Sequence, residues 1–112
     1  MRQDKVLLLV GLATKAGKTV SGEFMTEREV KSGRAALVIL AGDSSENTRK
    51  KFCNMCEYYE VPIYIYGDKD TLGHAMGKEF RASLAILDEG FADGIQKQMK
   101  GNDRQLHKGG SI

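Results

Sequence analysis

The sequence predicts an α/β protein, a three-layer α-β-α sandwich with a mixed central sheet of about four strands. Two apolar runs of strand length, Ala35–Ala41 and Ser83–Leu87, have the continuous hydrophobicity of strands covered on both faces. Segments of helical periodicity alternate with these runs, and that alternation favours helices on both sides of one sheet. The chain has 112 residues, of which 41% are hydrophobic, which is enough for one core and one domain.

The first third of the chain predicts two helices joined by a short extended segment. Asp4 can cap a first helix that ends at Gly17, because a carboxylate accepts from free N–H groups and glycine readily terminates a helix. The apolar face of this helix comprises Val6, Leu9, Val10 and Ala13. Residues 19–21 are predicted to be extended, and residues 23–32 to form a second, mostly charged helix.

The middle of the chain predicts a third helix followed by a strand. The capping residues Asp43, Ser44 and Ser45 precede a helix that runs to about Tyr59. Its predicted apolar face is Phe52, Cys56 and Tyr59, and its predicted outward residues are Arg49, Lys50 and Lys51. Pro62 then opens a strand over residues 63–66.

The last third predicts a short helix, the second buried strand and a final helix. Asp70 can cap the short helix, which runs through Met76. The apolar stripe of the final helix consists of Phe91, Ile95 and Met99. We expect residues 1–100 to form a single domain and residues 101–112, which are polar and glycine-rich, to form a flexible tail.

Composition argues against several classes of protein. The 17 Lys and Arg nearly balance the 15 Asp and Glu, so any affinity for phosphate must come from local clustering of basic residues. The longest apolar run, residues 6–13, is far shorter than the ~20 residues of a membrane-spanning helix and lacks the features of a secretory signal. Two cysteines without a disulfide-type framework suit a reducing cytosol, so we expect a cytoplasmic protein without membrane contact.

Residues 11–19, GLATKAGKT, approach the pattern of a phosphate-binding P-loop. The motif requires glycine at position 12, where this chain has Leu12, and no acidic strand of the Walker type is clear. A helix ending at Gly17 is therefore the favoured interpretation. A small nucleotide-binding enzyme stays as a third hypothesis for the function.

Candidate catalytic and metal-binding groups are few. Cys53 and Cys56 form a C-x-x-C in mid-helix, away from the helix N-terminus that would lower a thiol pKa, and the histidines lack zinc-finger spacing. Two small core residues are the favoured interpretation of this pair. Glu27 and Glu29 are predicted to lie on a solvated helix face. We expect no enzymatic activity, no cofactor and no metal.

Basic residues recur beside glycines at turns. These are Lys15 and Lys18 around Gly17, Arg28 and Lys31 before Gly33, and Lys78 and Arg81 after Gly77. The last two bracket Phe80, and an aromatic ring in a basic loop is what stacking on an unpaired RNA base requires. The alternative, which the sequence leaves open, is a core-facing Phe80 among ordinary surface lysines.

Five segments also occur in the order and spacing of one known family. They are Ser21-Gly22, K-S-G-x-A-x-L-V-I-L-A over residues 31–41, E-Y-Y-x-V-P over 57–62, L-G-x-A-x-G-K-x-F-R over 72–81, and L-A-I-x-D over 84–88. On these segments the chain, from about residue 4 to residue 97, resembles the kink-turn-binding ribosomal-protein family. That family includes the thirtieth large-subunit protein of eukaryotes, its archaeal seventh-protein relative and small bacterial paralogues.

The resemblance implies an α-β-α sandwich that binds structured RNA with an asymmetric internal bend and associates with the ribosome. It implies two contact surfaces, the start of the second helix and the loop after the L-G-x-A-x-G helix. The implied RNA-binding residues are Gly22, Glu23, Phe24, Arg28, Lys78, Glu79, Phe80 and Arg81, joined by Lys18 and Lys31 as basic residues beside glycines. We expect a monomer, because nothing in the sequence demands a dimer.

The chain departs from this family at positions 24 and 25. Many members carry a polar pair there, such as Asn-Glu, which reads base edges, whereas Phe24 and Met25 cannot form those side-chain hydrogen bonds. General RNA binding survives this change better than kink-turn specificity does. The alternative function is a protein-interaction adaptor that kept the fold and lost RNA binding, because an exposed apolar pair suits a protein partner.

Overall fold

Nine secondary-structure elements lie within residues 4–102, the part of the chain that this computed structural model describes. The helices are α1 (Lys5–Lys15), α2 (Glu23–Lys31), α3 (Glu46–Tyr59), α4 (Lys69–Ala75) and α5 (Glu89–Asn102). The strands are β1 (Thr19–Ser21), β2 (Leu37–Leu40), β3 (Ile63–Ile65) and β4 (Ser83–Ile86). The type and order of every element agree with the prediction.

The four strands form one mixed sheet in the order β1-β4-β2-β3. Strand β4 is antiparallel to both of its neighbours, and β2 and β3 are parallel. A parallel pair needs a crossover, which helix α3 supplies between β2 and β3. This sheet confirms the predicted four-stranded mixed architecture.

Two hydrophobic cores lie on opposite faces of the sheet. Alternate residues of β2 serve both, because Leu37 and Ile39 face α1, α4 and α5, whereas Val38 and Leu40 face α2 and α3. The strand is thus buried along its whole length, which explains the continuous apolar run in the sequence. The three predicted layers are therefore present.

The caps of α1 and α3 are among the predicted residues, whereas the cap of α4 differs from the predicted one. Asp4 accepts a hydrogen bond from the Leu7 N–H at 3.0 Å, as predicted. Helix α3 is capped by Ser45, while Asp43 accepts instead from the Lys69 N–H at 2.9 Å. Helix α4 is capped by Asp68 and not by Asp70, because a capping box with Thr71 begins the helix earlier than predicted.

The buried face of α3 also differs from the predicted one. Phe52 and Cys56 are buried as predicted, but the third buried residue is Met55, and Tyr59 is 40% exposed. Tyr59 lies in the last turn, where the chain leaves the helix through Glu60 in the left-handed conformation. Its ring packs edge-on against Tyr58, with 4.9 Å between the centroids, so it contributes to the surface.

The last helix extends through Gly101 and Asn102, two residues past the start of the predicted tail. Residues 103–112 of that predicted tail lie outside the described residues. Within the described part of the chain, no helix combines the length and the apolar character that crossing a bilayer requires.

Candidate nucleic-acid interface

Strand pairing brings the two predicted contact segments together. Ser21, the last residue of β1, pairs with Leu84, and the N–H of Gly22 donates to the Ser83 carbonyl at 3.0 Å. Arg81 reinforces this junction because its Nε donates to the Ser21 Oγ at 2.9 Å. The start of α2 and the loop before β4 thus form one continuous surface, although about 60 residues separate them in sequence.

Helix α2 begins at a residue that leaves its N-terminus open. Gly22 is the N-cap, with φ +93°, a backbone conformation that favours glycine, and it has no side chain to cap the helix. The first helical bond runs from the Thr26 N–H to the Gly22 carbonyl at 3.0 Å. The N–H groups of residues 23–25 precede that bond and have no helical acceptor, so they can donate to a ligand.

A close backbone contact fixes the loop of residues 77–81 on helix α4. A Cβ placed on Gly73 would lie 1.3 Å from the Glu79 carbonyl oxygen, so only glycine permits the loop to fold over the helix. The Lys78 N–H donates to the Gly73 carbonyl at 2.8 Å, and the Arg81 N–H donates to the Lys69 carbonyl at 3.1 Å. These contacts explain the first glycine of the L-G-x-A-x-G pattern in physical terms.

The Phe80 ring is presented to solvent by this fixed loop. The side chain is 65% exposed, which rules out the alternative of a core-facing Phe80. Its own carbonyl accepts from the Arg81 guanidinium at 2.8 Å, so the backbone beneath the ring is held in place. An exposed, pre-positioned ring is suited to stacking on a base.

Between the two segments lies a pocket of about 250 Å³, which we call the interface pocket. It is lined by Ser21, Gly22, Glu23, Thr48, Phe80, Arg81, Ala82 and Ser83. Its lining residues include an aromatic, an arginine, a glutamate and three residues with hydroxyl groups, a composition that suits both stacking and polar recognition.

The carboxylate of Glu23 is part of a charge network between α2 and α3. Lys51 Nζ lies 2.8 Å from an oxygen of Glu23 and 2.8 Å from an oxygen of Glu27, and Lys31 Nζ lies 2.8 Å from the other oxygen of Glu27. These hydrogen bonds, first from Lys31 and then from Lys51, lower the pKa of Glu27 to about 2. Lys51 was predicted only as an outward lysine, and its two partners lie on a different helix.

The other predicted residues lie either on the two contact segments or further along helix α2. Phe24, which is 72% exposed, and the exposed Lys78 and Glu79 lie on the two contact segments. Arg28 lies about 9 Å along α2 from Gly22, with a half-exposed side chain whose Nε is 3.5 Å from Glu29.

Lys18 and Lys31 are not brought to this surface by the fold. Lys18 precedes β1, at the opposite end of that strand from Gly22, and its carbonyl accepts from the Leu87 N–H. Lys31 ends α2 and is paired with Glu27. For these two lysines, a position beside a glycine in the sequence did not predict a position at the interface.

The prediction that Glu29 is solvated is wrong. Its side chain is buried, and Arg34 Nε donates to it at 2.7 Å, with Arg28 as a weaker partner at 3.5 Å. The Arg34 hydrogen bond is the main reason that the pKa of Glu29 lies below its usual value. A buried carboxylate here joins the end of α2 to the turn before β2.

Two other motifs have structural roles. Residues 11–15 continue helix α1, and the N–H groups of residues 16–18 also donate to carbonyls of that helix. The GLATKAGKT run therefore forms no phosphate loop. Burial raises the pKa of the Cys56 thiol to about 12 and also raises that of Cys53, as expected for unreactive core thiols. Residues 4–102 contain no cluster of three or more side chains able to hold a metal ion.

The sequence of this chain is similar to those of known proteins. Residues 4–95 match the model of the ribosomal protein L7Ae/L30e/S12e/Gadd45 family. The chain is 45% identical over 85 residues to the RNA-binding protein YlxQ of Bacillus subtilis, covering 76% of this chain and 85% of that protein. It is 35% identical over 99 residues to the YlxQ of Enterococcus faecium (88% and 95% covered), and 35% identical over 83 residues to the large ribosomal subunit protein eL30 of Methanoregula boonei (72% and 82% covered).

Solved structures share the fold. A protein of unknown function from Bacillus halodurans superposes with a TM-score of 0.84 at 33% identity, covering 86% of this chain and 97% of that one. The 15.5kD RNA binding protein of Giardia lamblia superposes with a TM-score of 0.74 at 21% identity, with 88% of each chain covered. On the family match and these relatives, the chain belongs to the ribosomal protein L7Ae/L30e/S12e/Gadd45 family.

Proposed function

We propose that this chain is an RNA-binding protein without enzymatic activity, and that it binds a bent or internal-loop RNA of the kink-turn kind. The observation that carries the proposal is the joining of the α2 start and the loop 77–81 into one surface around the interface pocket. Two relatives at 45% and 35% identity are named RNA-binding proteins, which supports the same function here.

Each group at this surface has a role in the proposal. The open N–H groups at the start of α2 donate to phosphates or base edges, and Phe80 stacks on an unpaired base. Arg28 and Lys78 supply positive charge for phosphates. Arg81 is also held by Ser21 and by the Phe80 carbonyl, so it orders the surface as well as charging it.

We also propose that the protein acts in the cytoplasm as a monomer, associated with the ribosome, without a cofactor. Its eL30 relative is a ribosomal protein by name, which supports ribosomal RNA as the source of the ligand. Sedimentation of cell extract through a sucrose gradient tests this point, and a protein found only at the top of the gradient would contradict it.

The binding proposal is tested by comparing a kink-turn RNA with a continuous duplex of the same stem sequences. We expect the bent RNA to bind more tightly in a filter-binding titration at low salt, because the surface is formed by two segments around a pocket and not by one flat basic face. Equal affinities would show that binding depends on the charge of the RNA and not on its shape, and the proposal of bent-RNA recognition would fail.

A second candidate function, a protein-interaction adaptor, is favoured by the exposure of Phe24. This ring is 72% exposed beside the partly buried Met25, at positions where polar residues would read bases. A gel shift with a panel of kink-turn RNAs and total ribosomal RNA separates the two functions. Absence of any shift at low salt would favour the adaptor.

A further inference from the structure

A groove between helices α1 and α4, which we call the α1–α4 groove, lies outside the surface proposed for RNA. Two adjoining cavities of about 390 and 380 Å³ form it, and both are lined by Leu7, Leu8, His74 and Ala75. The helices approach each other closely there, since a Cβ on Gly11 would lie 3.0 Å from the Ala75 carbonyl oxygen. Among the described residues, none lines both this groove and the interface pocket.

Two leucines of α1 border this groove with much of their apolar surface in solvent. Leu8 is 42% exposed and Leu12 is 45% exposed. Because they lie four residues apart in one helix, they stand one above the other on the same face and form a ridge. Helices pack by fitting such ridges into grooves between the side chains of a second helix. The shape and the apolar lining of the α1–α4 groove therefore suit a helical ligand.

The acidic and basic residues that line the groove lie at opposite ends of it. Asp4 and Asp70 line it at the starts of α1 and α4, and Lys15 lines it in the last turn of α1. Along α1 these ends are about 16 Å apart, or three turns of helix. Helices favour acidic residues in their first turn and basic residues in their last turn. A helix of that kind matches the charge at both ends only when it lies antiparallel to α1.

We propose that the α1–α4 groove binds an amphipathic helix of a partner protein, with acidic residues in its first turn and basic residues in its last turn. Its apolar face packs on Leu8 and Leu12, its first turn lies beside Lys15, and its last turn lies beside Asp4 and Asp70. The inference goes beyond the proposed function, because it adds a second ligand at residues that the interface pocket does not use. The protein then holds RNA and a partner protein at the same time.

The test uses a synthetic peptide of about four helical turns, held in helical form by a side-chain lactam on its outer face. It carries glutamates in its first turn, leucines at i, i+4 spacing and lysines in its last turn, and a control peptide has these charges exchanged. In a fluorescence-anisotropy titration at low salt, we expect the parent protein to bind the first peptide about 10-fold more tightly than the control, because ion pairs replace repulsions. Lys15→Glu combined with Asp70→Lys should reverse this preference.

Further variants test the apolar contact. Leu8→Gln combined with Leu12→Gln should weaken binding of the first peptide by about 10-fold, because both side chains lose apolar surface that the peptide buries. Glutamine is a good helix former, so α1 should remain folded, and a thermal melt checks this. Tyr58→Gln, which changes an exposed apolar side chain outside the groove, is the matched control and should bind the peptide as the parent does. All of these variants should keep the parental affinity for RNA.

The outcomes distinguish this inference from the proposed function. If neither peptide binds, if both bind equally, or if binding survives the leucine changes, the groove does not take this helix and the inference is wrong. Displacement of the peptide by saturating RNA would contradict two separate sites. If sedimentation velocity shows a dimer of the parent that the leucine changes abolish, the occupant is a second copy of this chain and not a partner protein. A parent protein that binds the peptide but no RNA would contradict the proposed function alone.

Discussion

Phe80 and Tyr58 are both highly exposed aromatic side chains, at 65% and 79%, but their surroundings differ. Phe80 lines the interface pocket beside Arg81, whereas Tyr58 lies near the end of α3, about 15 Å along that helix from the pocket residue Thr48. Exposure alone therefore does not identify a binding group. The pocket and the basic neighbour are what mark Phe80.

Replacing Phe80 by alanine removes the proposed stacking surface. We expect Phe80→Ala to weaken RNA binding by ~1–3 kcal/mol in a filter-binding titration, the range that base–aromatic contacts contribute. Tyr58→Ala is the matched control and should bind as the parent does. If Phe80→Ala binds RNA with the affinity of the parent, the Phe80 ring does not contact the RNA.

At the residue scale, the sequence predicted side chains well where the cause is local. The order of Lys78, Phe80 and Arg81 in one loop is visible in the sequence, and so is the glycine that precedes them. Lys51 and Glu29 were missed because their roles depend on partners brought by folding. One partner of Lys51, Glu23, lies 28 residues away in the sequence, and the main partner of Glu29, Arg34, lies past the end of the helix.

At the scale of the element, helix α4 and its following loop act as one unit through Gly73. A methyl group on Gly73 would collide with the Glu79 carbonyl, so the loop must move away from the helix. We expect Gly73→Ala to destabilise the protein by ~1–3 kcal/mol, the range for overpacked sites, and also to weaken RNA binding. Thermal melts and the same binding titration measure both effects.

A control for this substitution exists in helix α5. A Cβ on Gly94 would make an ordinary contact, at 3.7 Å from a Leu9 methyl group, so Gly94→Ala should be neutral or stabilising by up to ~1 kcal/mol. If Gly73→Ala melts at or above the temperature of the parent, the close contact between loop and helix is not required by the fold.

The buried Glu29 links α2 to the turn before β2 and makes that link sensitive to acid. Its folded-state pKa lies below the usual value of 4.5, so the stability from its pairing with Arg34 is present above about pH 4.5 and is lost as the pH falls further. We expect Glu29→Gln to melt at a lower temperature than the parent near neutral pH, and its melting temperature to fall less on acidification below pH ~4.5. Asp93, whose side chain is exposed on α5, supplies the control, and Asp93→Asn should follow the parental curve. A parental acid response of Glu29→Gln would contradict the linkage.

At the scale of the whole molecule, the architecture was predictable because each local signal agreed with the others. Continuous apolar runs marked strands buried on both faces, and alternation with helical segments required a layered sheet. The strand order was not predictable from these patterns alone. It depends on which strands pair across the sheet, and that pairing is what places Gly22 beside Ser83.

The charge of the whole molecule is small, only +2, so the salt dependence of RNA binding must reflect a few local contacts. The fold places Arg28 on the helix that begins at the interface, whereas it ties Lys31 to Glu27 and leaves Lys18 at the far end of β1. We therefore expect Arg28→Ala to reduce the slope of log K against log salt by about 0.7–0.9, the loss of one phosphate contact. Lys18→Ala and Lys31→Ala should keep the parental slope, measured over a salt series by filter binding. A slope that falls equally in all three variants would mean that RNA binding depends on the overall charge of the protein. The assignment of a localised interface would then be wrong.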